Sequence, residues 1–356
     1  MASLTALTSI FLKKAVTSEA SDIFIIAGLP VSMRINGVIV HENEKRLTPE
    51  ETSKIIQTIY KLAEERDMND LLEKGDDDFS FSIPRLSRFR VSAFKQRGSL
   101  SAVIRIISFS LPNADEERIP SEIINFADFS KGLVLVTGPA GSGKSTTLAC
   151  VIDHINHTQR KHIITLEDPL EFLHRHNKCI VSQREITVDT TSYVTALRAS
   201  LRQSPDVILL GEMRDLETMQ VAMTAAETGH LIFSTLHTIG AANTIDRIID
   251  VFPPNQQRQI AIQLSMVLQA VVSQQLVPTV DDRQVPAFEI MTVTPAIRNM
   301  IRENKIPQID GMIYSSATPE LISMDASLLK LYKEGTITEE TALTYATNPE
   351  MLKRRL

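Results

Sequence analysis

Cysteine is nearly absent from this chain: among 356 residues only Cys150 and Cys179 occur. With no CxxC pair they build neither a disulfide framework nor a zinc site, so a reducing, cytoplasmic setting is expected. An excess of positive charge is also missing. The 37 Lys and Arg stand against 43 Asp and Glu, a formal net charge of -6. That balance argues against a protein whose main task is to wrap nucleic acid. Long apolar runs are lacking too. The longest, Ile260 to Val277, is broken by Gln263, Gln269, Gln274 and Gln275, so no direct membrane insertion is expected. The opening MASLTALTSIFLKKAVTSEASD has no sustained apolar core and no small-residue cleavage site, which reads against a signal peptide. Repeats and low-complexity tracts do not occur.

What is present suits two or three domains: hydrophobic residues make up 43% of the chain. In the first hundred residues, Thr48-Pro49-Glu50-Glu51 reads as a capping box with proline at the first helical position, followed by apolar residues at helical spacing. Phe79 to Ile83 and Arg88 to Phe94 alternate as half-buried strands do, and Val103 to Ile106 reads as another strand. A small α+β domain over residues 1–110 is expected. The polar stretch 111–122, with Pro112 and Pro120, reads as a linker. From Gly132 the pattern changes to short apolar runs, interrupted only by Thr165: Leu133 to Val136, Ile163 to Leu166, Val207 to Leu210 and Leu231 to Phe233. Such strands, alternating with helices, indicate a parallel sheet covered on both faces. An α/β domain is expected over 123–275 and a helical region over 276–356, with helices at 294–303, 323–333 and 338–346.

The chemistry concentrates after the first apolar strand. Gly138-Pro139-Ala140-Gly141-Ser142-Gly143-Lys144-Ser145 is a complete P-loop, and the helix that opens at Thr146 is the context the motif requires. Glycine backbone N–H groups and a helix N-terminus cradle phosphate. Lys144 is expected at the β and γ phosphates of ATP and the Ser145 hydroxyl at Mg²⁺. Ligands of open parallel sheets bind at the carboxyl ends of the strands. Two acids sit at such ends: Glu167, in Glu167-Asp168-Pro169, and Glu212, after Leu210-Gly211. One carboxylate can hold the metal and the other can polarise the attacking water; each alone could equally be a solvated loop charge. His230 and His237 flank the strand Leu231 to Phe233. Their spacing is wrong for a helical zinc pair, and a γ-phosphate sensor is the better expectation for His237. Arg88, Arg90, Arg97 and Arg105 gather in the first domain's strands, either as a solvated face or as groups that complete a phosphate site. Arg198 and Arg202 are read as an i,i+4 pair on a helix.

These segments, in this order, resemble the Walker A, Asp box, Walker B and His box of the secretion ATPase superfamily. Ala20-Ser21-Asp22, Ala27-Gly28-Leu29-Pro30 and Arg88-Phe89-Arg90-Val91 are similar to the N-terminal domain of its twitching-motility branch. Thr294-Pro295-Ala296-Ile297-Arg298-Asn299-Met300-Ile301-Arg302-Glu303 is similar to that branch's C-terminal retraction motif. The resemblance extends over nearly the whole chain. It differs at Ala140, where threonine is common, at Phe24, where histidine is, and at Asn299, where leucine is. It implies a PAS-like first domain, a RecA-like ATPase core and appended helices, assembled as a homohexamer that drives pilus retraction. It further implies Glu167 as catalytic base, Glu212 at the metal, and His230 and His237 as γ-phosphate sensors. Arg90 and Arg105 become candidates for closing the site. An inner-membrane pilus platform protein and a paralogous pilus ATPase are the implied partners, met at the inner face of the cytoplasmic membrane at the pilus base. Extension or type II secretion ATPases are the near alternative; they usually carry an extra N-terminal region and a four-cysteine zinc site, and a short chain with no CxxC reads against them.

Overall fold

A computed structural model describes residues 2–356 apart from Asn36, Arg85, Ser108, Phe109, Asp282 and Ala317, and apart from the side chains of residues 2–7 and 9. The chain divides into two compact units, 1–110 and 111–356.

The first unit is built on a six-stranded antiparallel sheet. Its strands are β1 (Asp22–Ile25), β2 (Ser32–Ile35), β3 (Val38–His41), β4 (Asp76–Ile83), β5 (Ser87–Gln96) and β6 (Ser99–Ile107), in the order β3-β2-β1-β6-β5-β4. Alternation along each strand decides which face is covered. Phe79, Phe81, Phe89, Val91, Ala102 and Ile104 point into a core shared with Ile55, Ile56, Ile59 and Tyr60 of the helix Pro49–Leu62. That helix begins with the expected capping box: Glu51 N donates to the Thr48 hydroxyl and the Glu51 carboxylate accepts from Thr48 N. Beside it, Arg66 donates two hydrogen bonds to the buried Asp77, at 3.0 and 2.8 Å, and Tyr60 OH donates a third at 2.8 Å. The charge is thereby paired before it is buried, the condition under which burial is tolerable.

In the second unit the strands are β7 (Gly132–Thr137), β8 (His162–Glu167), β9 (Ile180–Glu185), β10 (Val207–Leu210), β11 (Leu231–Leu236), β12 (Leu268–Pro278), β13 (Gln284–Thr292) and β14 (Leu321–Ile322). They form one sheet in the order β14-β13-β12-β7-β11-β10-β8-β9. The pairings from β12 through β9 are parallel, and β13 and β14 add antiparallel partners. Every residue of β7, β10 and β11 is buried. A hydrophobic cluster lies on each face, one including Leu133, Leu135, Ile208 and Ile232, the other Val134, Val136, Leu209 and Phe233. This is the arrangement that uninterrupted apolar strands imply.

Three sequence expectations change here. The stretch 111–122 is no free linker: Ile119 is 7% exposed, Ala114 packs on the core and Cys150 Sγ donates to Pro112 O at 3.4 Å. The region beyond 275 is not purely helical, because β12 continues to Pro278 and returns as β13. The glutamines that break the apolar run hid this strand; Gln274 is itself buried and hydrogen-bonded. Arg202 lies just past the end of the helix Tyr193–Ser200, where its Nη1 donates to Arg198 O at 3.2 Å rather than standing beside that side chain on a helix face. Arg198 instead meets Glu217 at 2.8 Å on the surface.

The helix Pro295–Arg302 carries the segment resembling the retraction motif. Thr294 caps it, Ile297 and Ile301 are buried, and Arg298 donates to Ser265 O and Met266 O at the end of the helix Pro254–Val267. The guanidinium thus satisfies carbonyls that a helix C-terminus leaves without intrahelical partners. Among the described residues no helix is long and apolar enough to cross a membrane.

Candidate active site

Parallel strands point all their carboxyl ends to one edge, and that edge gathers the predicted residues. β7 runs into the P-loop, β8 ends at Glu167, β10 leads through Gly211 to Glu212, and β11 leads to His237. Ala140 to Thr146, Glu167, Glu212 and His237 line one cleft of about 500 Å³.

Gly138 and Pro139 form the base of the loop. Lys144 Nζ donates to Gly138 O at 3.0 Å and to Pro139 O at 2.8 Å. Burial holds this ammonium below the usual lysine range, with Glu171 and Glu212 opposing the shift. The Ser142 hydroxyl is buried and has no hydrogen-bond partner among the described residues. A loop with an unsatisfied buried hydroxyl, a desolvated lysine and a helix N-terminus is suited to phosphate oxygens.

The two carboxylates differ in surroundings. Burial pushes Glu167 up to about 7, with the neighbouring Thr165 hydroxyl and the Gln183 amide opposing in part. Such a group can accept a proton near neutral pH. Glu212 is ion-paired with Arg214, whose Nη2 lies 2.5 Å from Oε1, and His237 Nε2 lies 3.4 Å from Oε2. Thr235 Oγ1 donates to Gly211 O at 2.6 Å, which ties the ends of β10 and β11 together.

His230 is a correction. It precedes β11, so it lies at the opposite end of a six-residue strand from the cleft, about 20 Å away at strand geometry. Its Nδ1 sits 3.0 Å from Ala225 O, and its own carbonyl accepts from Gly132 N. The residue pattern favours His237 alone and His230 comes from the resemblance; the parallel pairing of β11 with β7 separates the two. The two histidines should therefore part experimentally. His237→Ala is expected to lower kcat by about tenfold or more, while His230→Ala keeps it within roughly threefold, in a steady-state ATPase assay.

Arg90 and Arg105 stand opposite each other on β5 and β6. Arg105 faces Asp22 across the next pairing, 3.3 Å from its carboxylate, and Arg34 lies 3.4 Å from the same group. They form a charged row on the sheet face turned away from that unit's core.

Sequence reasoning missed residues that hold the site from behind. Gln274 on β12 accepts from Thr147 Oγ1 at 2.8 Å, and its backbone oxygen lies directly against Gly138. Tyr193, on the cleft wall, has its phenol pushed above the ordinary range by burial, with Glu212, Asp168 and Glu167 adding. The one available signal was an amide inside an apolar run, which at Gln274 marks a buried hydrogen bond.

A phosphate loop facing two acids on the carboxyl edge of a parallel sheet puts the chain among the P-loop ATPases. A family model described as type II/IV secretion system protein matches residues 1–351, and the chain belongs to this family. It is 45% identical to the type IV pilus retraction ATPase PilT of Pseudomonas aeruginosa, over 93% of this chain and 95% of that one. It is 39% identical to the type IV pilus ATPase PilU of the same organism, over 96% and 89%. A crystal structure of the pilus retraction motor PilT with bound ADP superposes with a TM-score of 0.89 at 46% identity, covering 97% of this chain and 98% of that one. The chain is a type II/IV secretion ATPase and a homologue of PilT.

Proposed function

We propose that this protein hydrolyses ATP as a homohexameric motor and drives type IV pilus retraction. The observation that carries the reading is the convergence of Lys144, Glu167, Glu212 and His237 on a single cleft, in a chain similar to PilT from end to end. In this reading Gly138 to Thr146 hold the triphosphate, and Lys144 offsets the charge of its β and γ groups. Glu167 takes a proton from water as the water oxygen bonds to the γ-phosphorus; the bond to the bridging oxygen breaks and ADP leaves with that electron pair. His237 senses the γ-phosphate, and Arg90 and Arg105 are the proposed compensating cations of the first unit.

Mg²⁺ fits the donors present. The Ser145 hydroxyl and the Glu212 carboxylate are hard oxygen ligands on the same cleft. Two protein oxygens suit an ion that keeps waters and phosphate oxygens in its shell. When bound it would neutralise charge on the β and γ oxygens.

The proposed setting is the cytoplasmic face of the inner membrane at the pilus base, against a platform protein and alongside a paralogous pilus ATPase. The segment at Thr294–Glu303 supports retraction over extension. Deleting the gene should raise the surface pilus count and abolish twitching, read by electron microscopy and a surface-motility assay. Bald cells would assign the motor to extension or assembly instead.

A further inference from the structure

The geometry points to Gln183 as a positioning residue that aims the Glu167 carboxylate at the attacking water. This inference rests on Glu167 acting as the base. Gln183 lies on β9, the edge strand beside β8, where it pairs in register with Thr165 two residues before Glu167. Its side-chain amide is held at three points. Oε1 accepts from His174 N at 2.7 Å. Nε2 donates to Phe172 O at 2.9 Å and to Glu167 Oε1 at 3.5 Å.

The first two bonds decide which way the amide faces. A backbone N–H can only donate and a backbone carbonyl can only accept, so a flipped amide would lose both partners. It would also set its oxygen against the Glu167 carboxylate. The segment between Glu167 and β9 thus folds back and fixes an N–H donor on one oxygen of the base. The donor on Oε1 fixes the plane in which the carboxylate presents its remaining lone pairs to water. A base contributes only when its lone pair is aimed at the proton it removes.

The same bond favours the charged form of the carboxyl, opposing burial. The other titratable and charged groups around the cleft are Lys144, Asp168, Glu171, Tyr193, Glu212, Arg214 and His237. His174, whose backbone holds the amide, is pushed down to about 4 by burial and stays neutral at the pH values of interest.

The test is steady-state ATPase kinetics on the full chain, with nucleotide affinity measured separately by titration of a fluorescent ADP analogue. Gln183→Leu removes the donor at similar volume. It is expected to lower kcat by about tenfold or more at pH near 7, with ADP affinity held within about twofold. Its deficit should shrink at higher pH, because the acidic limb of kcat moves up once the donor is gone. Gln183→Glu keeps an oxygen for His174 N but sets a second carboxyl beside Glu167, and should move that limb further up. It serves where the leucine variant folds poorly, as a melting curve would report. Glu167→Gln divides the ways to fail. If that variant keeps full turnover, the base assignment falls and this inference with it. If it is inactive while both Gln183 variants show normal kcat and an unmoved pH profile, the inference on Gln183 alone is overturned.

Discussion

Glu167→Gln is expected to lose ATP turnover by about 100-fold or more while binding nucleotide as well as the unaltered protein, since a positioned general base is worth roughly 10²–10⁴ in rate. The amide keeps the shape and one acceptor oxygen but cannot take a proton. Single-turnover hydrolysis and ADP-analogue titration on the same preparation check the two halves of the statement. The pH profile of the unaltered protein supplies a second check. Glu167 is held at about 7, so the active, charged form is lost as the pH falls through that value. Turnover should therefore rise between about pH 6 and 8 and level off above, and the glutamine variant should show no such limb. Lys144→Ala makes the contrast, because it removes the cation of the loop and should lose nucleotide affinity and turnover together.

The second large effect is expected at Gly138. Its φ of 142° lies where side chains are rarely accommodated, and an added Cβ would fall 2.2 Å from the backbone oxygen of Gln274. That oxygen belongs to β12, which is paired to β13 at Gln274 and to β7 up to Ser273, so it has little room to step back. Gly138→Ala must displace the P-loop. At about 2–4 °C per kcal/mol for a unit of this size, a strain of roughly 2–4 kcal/mol should lower the melting temperature by about 5–15 °C. Nucleotide affinity should fall with it. Gly141 is the internal control: its φ is 75°, yet an added Cβ there meets nothing within 4 Å. Gly141→Ala should incur only the left-handed backbone penalty, about 1–2 kcal/mol. Differential scanning calorimetry of the two variants separates collision from conformation. Equal melting temperatures would remove Gln274 from the account.

How legible was all this in the sequence? The P-loop was complete, and β7, β8, β10 and β11 announced themselves because strands covered on both faces are dominated by apolar residues, with polar ones few and mostly near their ends. The order of those strands then placed Glu167, Glu212 and His237 on one edge. β9 was not foreseen: as an edge strand it tolerates Ser182, Gln183, Arg184 and Glu185, so its sequence carries no apolar signature. β12 was hidden for a related reason, since buried amides satisfied by partners distant in sequence look polar until the fold is known. The misplaced His230 belongs to a third kind. The residues alone point to His237 and the resemblance adds His230, although a strand that must run parallel to β7 puts only its later end beside the phosphate loop.

One strand has wider reach than its length suggests. β12 supports Gly138 through the backbone of Gln274 and holds Thr147 through its side chain, while the next residue, Gln275, donates from Nε2 to Tyr345 O. Residues on either side of a single peptide bond thus serve the nucleotide loop and the last helices of the chain. In mechanical terms the strand is a shared beam with two loads. The loop cannot shift without leaning on Gln274, and Gln274 cannot shift without carrying its neighbour. Whatever travels between the nucleotide and the C-terminal helices has this short, stiff route open to it.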